Sequence, residues 1–299
     1  MNKHICAVVV TFNRLSLLKE CIAGLQKQTY PINKIIIVNN GSTDGTTEWL
    51  NSISNEKIEV IHQDNCGSSG GFHSAIKAGF EQGFEWVWMM DDDVEASPSC
   101  LENLIKYKDQ SKCIHPFKKY KDGKDFLWEW FYNPYKGELI GLFNLSFEKG
   151  KDICFVNTGT FEGMLIHSDV IKKIGFPNKD YFIFGDDLEY GFLASLHTNV
   201  SYVKDAELIR KKNQKDEVSG VMNYYYGIRN RHLLKKNSQK VFPNRKIGSE
   251  FALHTLKIYF KNIFEILRNK QNLRKKLFLF FMLTRGLIDN YRKIVGKTI

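Results

Sequence analysis

Three consecutive carboxylates, Asp91-Asp92-Asp93, follow the apolar run 86–90. Adjacent carboxylates repel one another, and a divalent cation relieves that repulsion; hard oxygen ligands favour Mg2+ or Mn2+. A cation held there can bridge the two phosphates of a nucleotide sugar and act as Lewis acid on the departing diphosphate. The same residues also suit a solvated loop or the first turn of a helix, where acidic side chains meet the positive end of the dipole. A calcium loop of the EF-hand kind is excluded, because its spacing and turn glycine are missing. A second acidic group, Asp186-Asp187-Leu188-Glu189, follows Tyr181-Phe182-Ile183-Phe184-Gly185. At a helix start, Asp187 can project into a cleft while Glu189 points elsewhere. A carboxylate facing an acceptor hydroxyl is the general base that an inverting sugar transfer needs. Stabilisation of a helix N-terminus is the competing explanation for this group too.

The elements that must position these groups alternate strand and helix through the first 95 residues. Residues 6–10 are a continuous apolar run rich in β-branched side chains, the pattern of a strand buried on both faces; 35–38 read as a second buried strand, and 58–62 and 86–90 as a third and a fourth strand. Between them, Leu15, Leu18, Ile22 and Leu25 recur at helical spacing, residues 43–50 suggest a short helix, and Gly70-Gly71 opens a helix through Ala75, Ile76 and Ala78 that Gly83 closes. Ser97-Pro98 reads as an N-cap and first helical residue. This order predicts a parallel sheet covered by helices, with ligands outside the carboxyl ends of the strands. Polar clusters fall at four such ends: Thr11, Asn13 and Arg14; Asn39, Asn40, Ser42 and Asp44; Asp64 and Asn65; Asp91 to Asp93. The glycines of Asn65-x-Gly67-x-x-Gly70-Gly71 could let backbone approach a phosphate or ribose. They do not follow the first strand, so a dinucleotide-binding fingerprint is not expected.

Residues 115–150 read as aromatic and irregular, 154–200 as mixed α/β, 210–220 as a polar loop, and 224 onward as helical and basic. With 43% hydrophobic and 25% charged residues, the 299-residue chain can bury a full core. The six cysteines show no CxxC pair or metal-ligand spacing, which predicts a reduced, cytoplasmic setting. No leader pattern is read at the N-terminus, and the late apolar run 277–283 is far shorter than a membrane span. The net charge of +10 is uneven: residues 204–299 carry 23 Lys and Arg against seven Asp and Glu. That third is expected to meet something anionic. Leu253, Leu256, Ile258, Tyr259, Ile263, Phe264 and Leu267 alternate with Lys257, Lys261 and Arg268, and Arg274-Lys275-Lys276 precedes the late apolar run. Basic amphipathic helices of this kind can lie on an anionic membrane; packing on the rest of the chain or on a second subunit is the alternative. No nucleic-acid-binding module is recognisable, so no nucleic acid is expected as partner.

Taken together, the motifs resemble those of bacterial family 2 glycosyltransferases. They are Val8-Val9-Val10-Thr11-Phe12-Asn13-Arg14, Asn39-Asn40-Gly41-Ser42-Thr43-Asp44-Gly45-Thr46, Asn65-Cys66-Gly67-Ser68-Ser69-Gly70-Gly71, Trp88-Met89-Met90-Asp91-Asp92-Asp93 and Gly185-Asp186-Asp187-Leu188-Glu189-Tyr190. Order and spacing match across about the first 200 residues. Phe161-Glu162-Gly163 and Tyr224-Tyr225-Tyr226-Gly227-Ile228-Arg229-Asn230 are similar to the galactofuranosyltransferase and rhamnosyltransferase subgroup. The resemblance implies an α/β fold of the GT-A (nucleotide-diphospho-sugar transferase) type, a Rossmann-like mixed sheet with a helical basic C-terminal extension. It divides the chain into a catalytic domain over 1–220 (a nucleotide-sugar-binding half over 1–95, an acceptor-binding half over 96–220) and a helical region over 221–299.

The resemblance also implies roles. Thr11, Asn13, Arg14, Asn40 and Asp44 would line the base and ribose pocket of a nucleotide-sugar donor, UDP-linked, and Gly67, Gly70 and Gly71 would let the donor approach. Asp91 and Asp93 would hold Mn2+ or Mg2+, with Asp92 among the donor-binding residues. Asp187 would be the catalytic base. Trp128, Trp130, Phe161, Glu162 and Asp186 would serve the acceptor. The implied reaction moves galactofuranose, or rhamnose, onto a cell-surface polysaccharide or lipid-linked glycan precursor, at the inner membrane face and with a homo-oligomer as one possible assembly. The chain departs from the subgroup at one point. A histidine metal ligand is usual after a short strand beyond the acidic motif, and here Arg210 occupies that place. Arginine cannot ligate a cation, but it can pair with a diphosphate. Two other functions remain compatible with the pattern: a nucleotidyltransferase on a similar plan, and a nucleotide-sugar-binding protein without activity.

Overall fold

A computed structural model describes residues 4–142, 146–147, 150–213 and 220–299. In chain order its elements are β1 (Ile5–Thr11), α1 (Leu15–Gln26), β2 (Lys34–Asn39), α2 (Thr46–Ile53), β3 (Ile58–His62), α3 (Gly67–Glu81), β4 (Trp86–Asp91), β5 (Val94–Ala96), α4 (Cys100–Ile105) and β6 (Cys113–Tyr120). Then come β7 (Asp125–Phe126), β8 (Trp130–Asn133), β9 (Glu138–Gly141), β10 (Ile153–Val156), β11 (Leu165–His167), α5 (Ser168–Ile174), α6 (Asp186–Ser195) and β12 (Val200–Arg210). Four helices follow: α7 (Val221–Arg229), α8 (Arg231–Val241), α9 (Ser249–Arg268) and α10 (Leu273–Tyr291).

One mixed sheet runs in the order β10-β12-β6-β11-β4-β1-β2-β3. The four strands of the first 95 residues are mutually parallel, and β11 enters antiparallel between β4 and β6. Successive residues of β1 feed opposite cores: Ile5, Ala7 and Val9 pack with α1 and α4, whereas Cys6, Val8 and Val10 pack with α3 and α6. A strand covered on both faces has no reason to alternate polar and apolar residues, which is why these runs read as continuous.

Local departures from the sequence reading have physical causes. Residues 115–150 are not irregular throughout. They hold much of β6, with β7 on its edge, and a separate hairpin of β8 and β9. The buried Lys118 interrupts the apolar signature of β6. Val94–Ala96 pairs with the end of β12, which delays the next helix to Cys100; Ser97 instead closes a turn onto the Cys100 N–H at 2.9 Å. The short helix expected over 43–50 begins at Thr46, because left-handed Gly45 (φ +86°) breaks the chain before it. Of the loop expected over 210–220, residues 214–219 lie outside the described residues.

The C-terminal helices share cores with what precedes them. Leu233 and Leu234 of α8 and Phe251 of α9 pack with Leu188 and Phe192 of α6, and Tyr224 and Ile228 of α7 pack with Leu279 and Leu283 of α10. Among the described residues, no helix is long and apolar enough to cross a membrane.

Candidate active site

The end of β4 delivers Asp91 beside β1, and the turn to β5 carries Asp92 and Asp93. A segment distant in sequence completes the cluster. Gly163 docks on β4, its N–H donating to Met89 O at 2.9 Å and its carbonyl accepting from Trp88 Nε1 at 3.0 Å. That contact places the neighbouring Glu162 so that carboxylate oxygens of Asp91, Asp93 and Glu162 lie within 4.8 Å of one another. Three hard oxygen donors at this separation fit Mg2+ or Mn2+. Glu162, expected on the acceptor side, is thereby brought to the two aspartates expected to hold metal. Burial pushes the Asp91 carboxyl well above the ordinary range, and the charges of Glu162, Asp93 and Asp92 push it further.

Positive charge surrounds the cluster. Arg14 Nη1 reaches Asp92 and Asp93, each at 3.0 Å, and Lys212 Nζ lies 3.5 Å from Asp93. Thr11 Oγ1 donates to Asp92 at 2.7 Å. Burial nevertheless raises the Asp92 carboxyl, against the pull of Arg14 and Thr11. On the other side, Lys118 Nζ lies 3.4 Å and Arg210 Nη2 3.3 Å from the two oxygens of Glu162. Lys118 is buried, also donates to Thr160 Oγ1, and has its pKa lowered by that burial against the pull of Glu162. The Arg210 guanidinium lies over the Phe126 ring, 4.0 Å from its centre. Sequence reasoning missed Lys118, which sits in a strand without any motif around it.

Asp187 stands in the first turn of α6, after a loop of unusual backbone: Phe182 (φ +64°), Phe184 (φ +67°) and Gly185 (φ +93°) are all left-handed. Two of these are not glycine, so other groups must hold the loop. Asn230 Nδ2 reaches the carbonyls of Tyr181, Ile183 and Phe184 at 3.1, 2.7 and 2.8 Å, and Arg229 Nη2 reaches Tyr181 O at 2.9 Å. Arg229, the last residue of α7, and Asn230, between α7 and α8, thus brace the loop that aims α6. Asp187 Oδ1 accepts from the Leu188 N–H at 2.7 Å. Burial raises the Asp187 carboxyl, opposed by that bond and by Lys118. Glu189 points away, accepting from Tyr181 at 3.0 Å and from Asn237.

Asp91, Glu162, Asp186, Asp187 and Arg210 line a cleft of about 560 Å³. Trp128 and Phe161 line it as well, Trp128 stacked on Phe126 with ring centres 5.5 Å apart. Phe161 is 3% exposed, packed against Phe72 and Tyr190, so most of its ring serves the core. Trp130 lies behind Trp128, ring centres 5.8 Å apart, and outside the cleft lining. The residues expected at the nucleotide knit the strand-end loops together. Asn13 Oδ1 accepts from Thr43 N at 2.7 Å, Asp44 Oδ2 from Leu15 N at 3.1 Å, and Asn40 Nδ2 donates to Gly67 O at 3.0 Å. The glycines approach the protein itself. A Cβ at Gly67 would meet Phe182 O at 2.0 Å, at Gly70 Cys66 Sγ at 2.3 Å, and at Gly71 Val10 Cγ1 at 2.4 Å.

Residues 6–171 match the model of the family described as Glycosyl transferase family 2. The chain is 24% identical over 210 residues to the galactofuranosyltransferase GlfT1 of Mycobacterium tuberculosis (strain ATCC 25618 / H37Rv), a match covering 63% of this chain and 64% of that protein. It is 23% identical over 226 residues to the Escherichia coli UDP-Glc:alpha-D-GlcNAc-diphosphoundecaprenol beta-1,3-glucosyltransferase WfaP, covering 69% and 83%. Among solved structures, residues 1–349 of S. aureus TarS with UDP-GlcNAc superpose at a TM-score of 0.57 and 15% identity, covering 97% of this chain and 81% of that one. The Pyrobaculum calidifontis mannosyltransferase PcManGT, with GDP-Man and Mn2+, superposes at 0.55 and 13% identity, covering 97% and 75%. The fold is therefore of the GT-A type, a central mixed sheet with helices at the C-terminal end.

Proposed function

The chain belongs to glycosyl transferase family 2, and from that premise we propose that it is an inverting glycosyltransferase moving a sugar from a nucleotide donor to a surface-polysaccharide or lipid-linked glycan precursor. The observation that carries the proposal is one cleft lined by Asp91, Glu162, Arg210 and Asp187. It joins a diphosphate-directed charge cluster to a candidate base. The donor reading is a UDP sugar, with galactofuranose first and rhamnose, from its own nucleotide donor, second. GlfT1 is by its name a galactofuranosyltransferase, and WfaP by its name uses UDP-Glc. The loops of Thr11, Asn13, Arg14, Asn40, Asp44 and Asp92, against the glycine-rich start of α3, form the donor end. Trp128 and Asp186 belong to the acceptor end. A lipid-linked acceptor puts the working protein at the inner membrane face.

In this reading Asp187 takes the proton of the acceptor hydroxyl. The oxygen attacks the anomeric carbon as its bond to the diphosphate breaks, inverting the centre. Negative charge gathers on the departing diphosphate, where Arg210 lines the cleft to meet it. A divalent cation held by Asp91, Asp93 and Glu162 would add Lewis-acid charge at the same place.

Asp187→Asn keeps the side-chain shape and removes the base. Transfer should fall by about 10²- to 10⁴-fold, while UDP affinity by calorimetry stays within about twofold, less than 0.5 kcal/mol. Turnover retained in this variant would remove Asp187 from the role. Thermal-shift screening with UDP-, dTDP- and GDP-sugars, with and without Mn2+, identifies the donor.

A further inference from the structure

We infer that the hairpin of α9 and α10 docks the protein on an anionic lipid bilayer, lying in the plane of the interface, one helix away from the wall of the cleft. The inference rests on the transferase reading for its purpose, and on the following surface for its evidence.

On α10, Leu273, Leu277, Phe280, Phe281, Ile288 and Tyr291 are between 43% and 72% exposed. Their spacing of mostly three or four residues makes one stripe along the whole helix. A different stripe, Leu279, Met282 and Leu283, is the buried one. Phe260, Phe264 and Leu267 of α9 are 58–65% exposed, while Ile266 is buried. Both helices therefore spend one apolar face on the protein and leave a second apolar face bare. A soluble protein rarely leaves a patch of this extent in water.

The charge around the patch selects its occupant. From Ser249 to Tyr291 there are eight Lys and Arg against three Asp and Glu. Lys257, Lys261, Arg268, Arg274 and Lys275 are exposed, and the Arg268 guanidinium lies 5.3 Å from the centre of the Phe264 ring. Aromatic and leucine side chains bordered by cations are what a helix needs to sit at the headgroup level of an anionic leaflet. A second copy of the chain fits less well, since a symmetric pairing would bring the same cations face to face. Crossing the bilayer is not available to these helices.

The placement gives the surface a use. Tyr224 and Ile228 of α7 pack on α10, while Asn223 of α7 lines the cleft. Packed helices lie about 8–10 Å apart. An acceptor carried by a lipid would present its headgroup on the side of the molecule where the cleft wall stands.

The test uses the full chain and vesicles of equal parts phosphatidylglycerol and phosphatidylcholine, against phosphatidylcholine alone. Wild type should sediment with the anionic vesicles, and less so as salt is raised. Phe260→Ser/Phe264→Ser/Phe281→Ser, all exposed positions, should lower the partition coefficient by about tenfold or more. Arg274→Glu/Lys275→Glu should lower it by about tenfold. Equal binding to neutral and anionic vesicles, no binding by a folded wild type, or undiminished binding by either variant overturns the inference. So does a lipid-free dimer, seen by sedimentation velocity, that the triple variant dissolves. Transfer to a water-soluble acceptor separates the two readings. Both variants should keep it, and its absence from wild type with vesicle binding intact counts against the transferase reading and for the docking surface.

Discussion

Lys118 gives the sharpest test of how the charge cluster is built. Its side chain has no exposure, and its ammonium lies 3.4 Å from Glu162 Oε2. With an effective dielectric of about 20, that separation corresponds to about 5 kcal/mol of attraction. Loss of water around the ammonium, with repulsion from Arg210, outweighs that attraction, which is why the Lys118 pKa is lowered despite its partner. Removing one member of a buried pair strands the other and costs about 3–5 kcal/mol. Arg210 remains 3.3 Å from the other Glu162 oxygen, so Lys118→Met should fall at the lower end, about 3 kcal/mol. Urea unfolding of Lys118→Met, Glu162→Gln and the double variant measures this directly. The double variant should be less destabilised than the sum of the singles by about 2 kcal/mol. A Lys118→Met cost below about 1 kcal/mol, or additive singles, would refute the assignment of Lys118 as the buried counter-charge of Glu162.

Gly71→Ala places a Cβ 2.4 Å from Val10 Cγ1, so thermal unfolding should show a loss of about 1–3 kcal/mol. Val10→Ala in the same chain should recover part of it if the contact is the cause. Burial raises the Glu189 carboxyl to about 7, against its bonds from Asn237 and Tyr181. A carboxyl raised above its unfolded value near 4.3 favours the native state at low pH, and that stability is lost as pH climbs through the folded pKa. Denaturant unfolding of Glu189→Gln should therefore lack a decline of up to about 3 kcal/mol that wild type shows between about pH 4 and pH 7. Asp93→Ala should reduce the gain in UDP affinity that Mn2+ confers, read by calorimetry. An unchanged gain would take Asp93 out of any metal site.

The first 95 residues were legible because β1, β2 and β4 are buried on both faces. Residues 6–10, 35–38 and 86–90 announce themselves as apolar runs, and the polar residues that end them can only lie at one edge of a parallel sheet. The half beyond Asp93 obeys longer-range rules. Lys118 shares β6 with His115 and Lys119, and nothing local says that this lysine is the buried one or that its burial is tolerable. What makes it tolerable is Glu162, 44 residues away in sequence. Glu162 is itself in place only because Gly163 docks on β4. No periodicity encodes such a contact.

Arg210 illustrates the same limit from the other side. Read along the chain, it stands where the resembling subgroup carries a histidine, and the reading goes no further than a lost metal ligand and a cation able to pair with a diphosphate. Placed in the sheet, it ends β12 and pairs with Glu162. Exchanging a neutral ligand for a guanidinium adds one positive charge to the site. Glu162 returns one negative charge beside Asp91 and Asp93. The two residues make sense together as electrostatics: a carboxylate from the β10–β11 connection stands beside Asp91 and Asp93, and the guanidinium at the end of β12 balances its charge. Lys118 and Arg210 keep that carboxylate from adding repulsion to three aspartates already crowded at the end of β4. In that arrangement Arg210 and Lys118 are the two counter-charges of one carboxylate, and the Lys118–Glu162 cycle is the measurement that bears on the buried one.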